Sequence, residues 1–306
     1  MTEFTKRIAI LVSANLLPDH PDQREDVFEL DEEMGKLIPA FAALGVECIT
    51  LDWRKAAEQA KLFDAMLPLF VWDYFENNQE EFLSTMAKVE QGTKLFNPFH
   101  VLQWNSNKSY LDEMEAQGAA TIPTVTLPRA TQTEISRAMD ELQSEKIVIK
   151  PDIGGGAWRQ VLYQKGDPFP SKDELPPEGA MVQPFLSSVT EEGEYSFLYF
   201  GGAFSHALQK KPQSGDYRVQ SIYGGLEFPY TPTSEERRQA RSILDTLDFT
   251  PLYARVDLLR GNDGRLLLIE LEMIEPYLYF SFAEGEGGEN KGAQRLAKAV
   301  LKKLDD

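Results

Sequence analysis

The chain has 306 residues, and an ordinary domain size of roughly 150 residues predicts about two domains with ample material for a buried core. Hydrophobic residues at 42%, aromatics at 11% and charged residues at 26% match ordinary globular usage, which excludes a disordered, collagenous or coiled-coil chain. Lys and Arg number 31 against 49 Asp and Glu, a formal net charge of −18 that opposes nucleic-acid backbones and anionic membranes as partners but leaves room for a local basic cleft around a small anion.

Cys48 has no second cysteine for an internal disulfide, and His20, His100 and His206 are too scattered to read as a zinc site. The apolar run Ile8–Val12 is strand-length rather than a signal-peptide core. No stretch approaches the ~20 apolar residues of a membrane helix, so the cytoplasm is the expected location.

In chain order, Arg7–Val12 reads as a strand and Asp26–Leu44 as a helix with Leu30, Met34, Leu37, Ile38 and Phe41 on one face, closed by Gly45. Val46–Leu51 and Leu67–Trp72 read as strands, Asn78–Gln91 as a helix and Lys94–Asn97 as a short strand. This alternation predicts a small α/β layer with parallel strands. The turn after the first strand, Ser13–Pro18, lacks the glycines that a dinucleotide pyrophosphate requires, so no Rossmann cofactor is expected there.

From Ser106 the pattern changes. Helices are expected over Asn107–Gln117, Thr133–Gln143, Thr233 to about Leu247 (opened by the capping box Thr233–Glu236) and Gly292–Leu304. Strands are expected over Ile122–Thr126, Lys146–Lys150, Arg159–Gln164, Ala180–Phe185, Glu194–Phe200, Ala203–Lys210 and Tyr217–Ile222. Leu252–Leu259 and Arg265–Glu272 form a hairpin around Gly261–Gly264.

That hairpin carries chemistry. A symmetric turn sets Arg255 opposite Glu270, Tyr253 opposite Glu272 and Asp257 opposite Leu268. Arg255, Asp257, Glu270 and Glu272 then share one face, and Val256, Leu258, Leu267, Ile269 and Leu271 take the other. Carboxylates at that density suit Mg²⁺, a hard cation bound by protein oxygens and substrate phosphates. The alternative is a solvated outer face with a cross-strand Arg255–Glu270 salt bridge.

A second pattern is Lys150 at a strand end followed by Gly154, Gly155 and Gly156, whose bare backbone can approach an anion. Its spacing fits neither the P-loop nor the Rossmann fingerprint, and a plain hairpin turn is the alternative. Lys108, one position inside an expected helix N-terminus, and Arg218 are ambiguous alone.

Taken in order, Lys108, Lys150 with its glycines, Gln183-Pro184-Phe185, Arg218, Tyr253-Ala254-Arg255-Val256-Asp257 and Ile269-Glu270-Leu271-Glu272 resemble the ATP-grasp ligase superfamily. The Tyr-Ala-Arg-Val-Asp stretch is similar to the matching strand of D-alanine:D-alanine ligases. Val71–Tyr74, Trp104–Leu111 and Glu270–Pro276 draw the resemblance toward the glutathione-synthetase-like group, and within it toward the ligase type that closes D-cycloserine from O-ureido-D-serine.

The resemblance implies an ATP-grasp fold, α/β with an α+β C-terminal part, behind a small Rossmann-like pre-ATP-grasp domain at 1–105. A subdomain with the glycine loop follows at 106–182, and one with the metal-binding hairpin at 183–306. By the same resemblance Lys108 and Lys150 bind ATP phosphates under the Gly154–Gly156 lid, and Gln183, Pro184, Phe185 and Leu186 form the adenine hinge. Asp257, Glu270 and Glu272 hold Mg²⁺, with Arg218 and Arg255 as the catalytic arginines on the transferred phosphate and the oxyanion. Glu272 stands where relatives often have Asn, and Lys210 and Lys211 stand where Arg is frequent.

The implied reaction is ATP- and Mg²⁺-dependent ligation of a small-molecule carboxylate to an amine through an acyl phosphate, giving an amide or a ring. A phosphotransferase on the same scaffold and a non-catalytic nucleotide-binding protein are the rivals. Relatives on this scaffold are often dimers, so a homodimer is among the expected states. Candidate specificity residues are Asp73, Tyr74, Glu275 and the run Tyr277–Phe280, for which core packing is the plain alternative.

Overall fold

The computed structural model describes residues 4–76, 78–285 and 288–305. Strand and helix alternate first: β1 (Lys6–Val12), α1 (Val27–Ala42), β2 (Val46–Asp52), α2 (Ala56–Gln59), β3 (Ala65–Phe70), α3 (Gln79–Gly92) and β4 (Lys94–Leu95). The strands form a parallel sheet of order β2-β1-β3-β4. Alternation along β1 splits its two faces. Ile8, Ile10 and Val12 pack with α1, while Ala9 and Leu11 pack with Trp53, Ala56 and the Phe82, Met86, Val89 stripe of α3. Ile38, expected on the inner face of α1, is 45% exposed, because Leu37 beside it occupies the inward position.

A short helix that the sequence reading lacks, α4 (Phe99–Asn105), precedes α5 (Tyr110–Ala116), which stands where the helix Asn107–Gln117 is expected. Asn107 Oδ1 accepts the Ser109 N–H at 2.9 Å, a local turn that starts the second helix only after Lys108. Lys108 therefore lies between the helices, its N–H donating to Asp152 O at 2.8 Å.

β5 (Val125–Leu127), α6 (Gln132–Glu141), β6 (Lys146–Pro151), β7 (Val161–Gln164) and β8 (Ala180–Pro184) follow, with an antiparallel sheet of order β5-β8-β6-β7. The last part comprises α7 (Ser188–Glu191), β9 (Glu194–Phe200), β10 (Ala203–Lys211), β11 (Leu226–Pro229), α8 (Ser234–Leu244), β12 (Tyr253–Arg260), β13 (Leu266–Glu272) and α9 (Lys291–Asp305). Its sheet, also antiparallel, runs β11-β10-β9-β12-β13. The capping box at Thr233 and Glu236 is present. The expected strand Tyr217–Ile222 is not formed. Asp216 Oδ1 accepts the N–H groups of Tyr217 (2.7 Å) and Arg218 (3.0 Å), and the edge position passes to Leu226–Pro229.

The β12–β13 hairpin is shifted from its expected register. Arg255 faces Glu272 and Asp257 faces Glu270, with an irregularity between Asp257 and Leu258 that leaves Ile269 unmatched. The turn closes wider as well, Gly261 N–H reaching Arg265 O at 2.8 Å with Gly264 at φ +83°. A shift of two keeps the charged quartet on one face, but the bulge reverses the residues nearer the turn. Leu268 is fully buried, and Ile269 and Leu267 join Leu259 on the opposite side. One core cluster joins the first sheet to the third through α9 and Leu278–Phe280, fixing the site's floor.

Candidate functional site

A cavity lies between the second and third sheets. β6 feeds it by alternation: Ile147 and Ile149 point into the local core, while Val148 and Lys150 line the cavity. β8 supplies Gln183, whose Nε2 donates to Thr124 Oγ1 at 2.9 Å, and the chain continues through Pro184, Phe185 and Leu186 along the wall. With Leu259 and Ile269 these make an apolar slot, and the Lys146 ammonium sits 4.1 Å from the Phe185 ring centroid.

The glycine turn lines the cavity. Gly156 has φ +58°, which disfavours a side chain, and a Cβ on Gly155 would lie 3.1 Å from Phe75 Cε1. Lys108 Nζ ties this turn to the hairpin, donating to Gly154 O at 2.6 Å and pairing with Glu270 Oε1 at 2.7 Å.

The hairpin face is not a solvated surface: Arg255 is 7% and Asp257 3% exposed. Arg255 bonds Asp257 through Nε and Nη2 at 2.9–3.1 Å and also pairs with Glu272, while Glu270 pairs with Lys108, so the Arg255–Glu270 bridge of the solvated-face alternative is not formed. Asp257 also accepts from Ser196 Oγ and lies 3.6 Å from Lys210 Nζ, which pairs with Glu194.

Electrostatics follow from this packing. Burial works against the charge on Lys108, but Glu270 outweighs it and the ammonium titrates above its ordinary value. Lys150 has no carboxylate within ion-pair distance among the described residues, and burial lowers its pKa. Burial pushes the carboxyls of Glu272 and Glu275 up. Arg218 is held by Asp216 at 2.7 Å and stacks 3.7 Å from the Tyr223 ring centroid.

The residues expected from the sequence to hold nucleotide, metal and reacting phosphate all line this one cavity: Lys108, Lys150, Gly154, Gly155, Gly156, Gln183, Pro184, Phe185, Leu186, Arg218, Arg255, Asp257, Glu270 and Glu272. Glu275, Tyr277 and Tyr279 line it too, whereas Leu278 and Phe280 belong to the core. Sequence reasoning missed Glu194, which pairs with Lys210, and the apolar walls Val148, Leu259 and Ile269. Among the described residues no trio of His, Cys, Asp or Glu is gathered into a ready metal shell. The all-oxygen donor set nevertheless suits Mg²⁺, which needs only one or two protein carboxylates beside phosphate and water.

Asp73 and Tyr74 do not line the cavity. Asp73 instead accepts from Ser13 Oγ (2.6 Å), Trp53 Nε1 (2.8 Å) and Arg54 Nη1 (2.6 Å), tying the ends of β1 and β3 together. Burial opposes the charge, and these three bonds outweigh it, holding the carboxyl below its usual range. The resulting stability is present at neutral pH and lost as pH falls through the depressed native pKa. Asp73→Ala should lower unfolding stability by about 3 kcal/mol, read by denaturant melts, and leave nucleotide affinity unchanged. A shift in nucleotide affinity at unchanged stability would reverse that assignment.

Residues 8–97 match the family described as D-cycloserine synthetase DcsG, N-terminal domain. Cycloserine biosynthesis protein DcsG of Streptomyces lavendulae is 28% identical over 295 residues, spanning 90% of this chain and 95% of that protein. The crystal structure of D-cycloserine synthetase DcsG superposes with a TM-score of 0.82 at 25% identity, covering 97% of this chain and 99% of the other. D-alanine–D-alanine ligase of Bacillus anthracis complexed with ATP shares the fold alone, with a TM-score of 0.67 at 15% identity over 98% and 97% of the two chains.

Proposed function

We propose that this chain, an ATP-grasp protein homologous to D-cycloserine synthetase DcsG, is an ATP- and Mg²⁺-dependent ligase that forms a carbon–nitrogen bond on a small amino-acid-like substrate through an acyl phosphate. The observation that carries the reading is the meeting, in one cavity, of an apolar slot, a glycine turn, phosphate-competent lysines and an arginine among carboxylates. DcsG matches this chain end to end, which favours ligation over the phosphotransferase and non-catalytic rivals.

In the mechanism, the slot of Val148, Leu186 and Ile269 takes the adenine, with Gln183–Leu186 as the hinge. Lys150 and Lys108 hold the phosphates, and the backbone of Gly154–Gly156 covers them. Asp257, Glu270 and Glu272 would hold Mg²⁺, which when bound would neutralise charge on the phosphate oxygens. A substrate carboxylate oxygen forms a bond to the γ-phosphorus as ADP leaves. A nitrogen then attacks the acyl carbon, and phosphate departs. Arg255 donates to the carbonyl oxygen as it becomes negative, and Arg218 exchanges Asp216 for the transferred phosphate. These charges neutralise one another, and on binding the lysines and carboxylates exchange partners.

Glu270→Gln should lower turnover about 10²-fold, with partial rescue at high Mg²⁺, since a ligand charge is lost at nearly constant shape. If Glu270 served only as the partner of Lys108, its loss would cost stability by leaving a largely buried ammonium unpaired but would leave turnover normal, which would remove Glu270 from the metal site. The reading itself is tested by ADP release with O-ureido-D-serine and a panel of amino acids and amines, with hydroxylamine added to trap the activated acyl group. A hydroxamate is expected. A stable phosphoester would favour the kinase rival, and ATP binding with no product over the whole panel would favour the non-catalytic one.

A further inference from the structure

Glu33 is a buried carboxylate outside the cavity's charge pairs. It lies on the apolar stripe of α1 between Leu30 and Leu37 and is wholly excluded from solvent. Its two oxygens are divided between two backbone amides: Oε2 accepts the Leu278 N–H at 3.2 Å and Oε1 the Phe280 N–H at 3.0 Å. Between those amides Tyr279 adopts a left-handed backbone, φ +52°, which is uncommon for an aromatic residue. The next acidic residue of α1, Glu32, accepts the Tyr277 hydroxyl at 3.2 Å. The segment's carbonyls are fixed as well, Leu278 O lying 2.9 Å from His206 Nε2 and Phe280 O accepting from Asn290 Nδ2 at 2.6 Å. Burial pushes the Glu33 carboxyl up to about 8, while the two amide bonds pull it back down.

The other side of this segment faces the site. Tyr277 O accepts from Arg255 Nη1 at 3.2 Å, and the Tyr279 ring centroid lies 5.7 Å from Arg255 Cζ and 5.9 Å from Lys210 Nζ. Both tyrosines line the cavity. With the Val148, Leu186 and Ile269 slot given to adenine, the tyrosine side is left for the substrate that is not a nucleotide.

We propose that Glu33 is a positioning residue: by clamping the amides of Leu278 and Phe280 it sets Tyr279 as the wall of the site for the amino-acid-like substrate. This rests on the ligase reading above. A helix of the first layer thereby shapes a pocket built on the third sheet, without touching the substrate itself.

Glu33→Gln keeps the shape and one strong acceptor, and Tyr279→Ala removes the wall while leaving the clamp. In steady-state kinetics both variants should raise KM for the carboxylate substrate about tenfold and leave KM for ATP within about twofold. Amide hydrogen exchange at Leu278 and Phe280 should quicken in Glu33→Gln by more than the accompanying loss of global stability accounts for. Equal losses for ATP and substrate, or unchanged KM values in both variants despite faster exchange, would overturn the inference. A wild-type chain that ligates no substrate defeats the ligase reading, and this inference with it, before any variant is compared. Wild-type ligation with unaffected variants defeats this inference alone.

Discussion

Lys150→Ala is expected to abolish detectable ATP binding while leaving the fold intact. The cavity cations Lys108, Lys210, Arg218 and Arg255 each have a carboxylate partner, and Lys150 has none among the described residues although it is only 8% exposed. An unpaired buried ammonium is costly to the apo fold, and its removal should keep the melting temperature level or raise it. The same ammonium becomes valuable once phosphate oxygens supply the missing counter-charge, so the loss in affinity should exceed about 10²-fold, roughly the worth of a desolvated charge-assisted contact. There is a proton signature too. Burial lowers the Lys150 pKa, and a bound phosphate would restore it, so ATP binding at alkaline pH should take up protons and show a buffer-dependent enthalpy that Lys150→Ala lacks. Unchanged calorimetric affinity in the folded variant would take Lys150 out of the site.

Period-2 alternation was enough to read which side of the hairpin carried Arg255, Asp257, Glu270 and Glu272, because a register error of two returns every side chain to the same face. Partners were not legible in the same way. The wider turn at Gly261 and the unmatched Ile269 depend on hydrogen bonds that no spacing announces, so Arg255 was assigned Glu270 and found Glu272. Ile269 was missed as an apolar wall for the same reason, since the bulge turns it toward the cavity from a face where the pattern placed core residues. Tyr217–Ile222 looked like an edge strand by composition, but the Asp216 carboxylate captures the amides that a ladder would need. Asp73 was a fair candidate for recognition as a polar residue at a strand end, and only the three donors converging on it assign it to the frame. Glu33 did leave a trace in the sequence. A carboxylate three residues after Leu30 and four before Leu37 breaks an otherwise apolar stripe, and such a break asks where its hydrogen bonds go.

Arg255→Met should lower kcat about 10²–10³-fold and disturb ATP affinity much less, the pattern of a donor whose bond strengthens as charge develops on the reacting carbonyl. Its guanidinium pairs with Asp257 and Glu272, with burial opposing its charge and Asp257 outweighing that to keep it firmly protonated. In the proposed ligase those carboxylates would hold Mg²⁺, which would free the guanidinium for an anion, and the oxyanion formed as nitrogen attacks is the anion that this reading supplies. Methionine keeps the stem's volume but leaves the buried Asp257 with only Lys210, 3.6 Å away, and the partly buried Glu272 without its partner, which should cost about 3 kcal/mol of stability. Mg²⁺ should therefore raise the melting temperature of Arg255→Met more than that of the wild type. Arg255→Lys retains a charge without the planar fork, so it should recover the stability and little of the turnover. If Arg255→Met turns over normally, or if kcat holds while ATP affinity collapses, the arginine belongs to nucleotide binding and the oxyanion must be stabilised by another group.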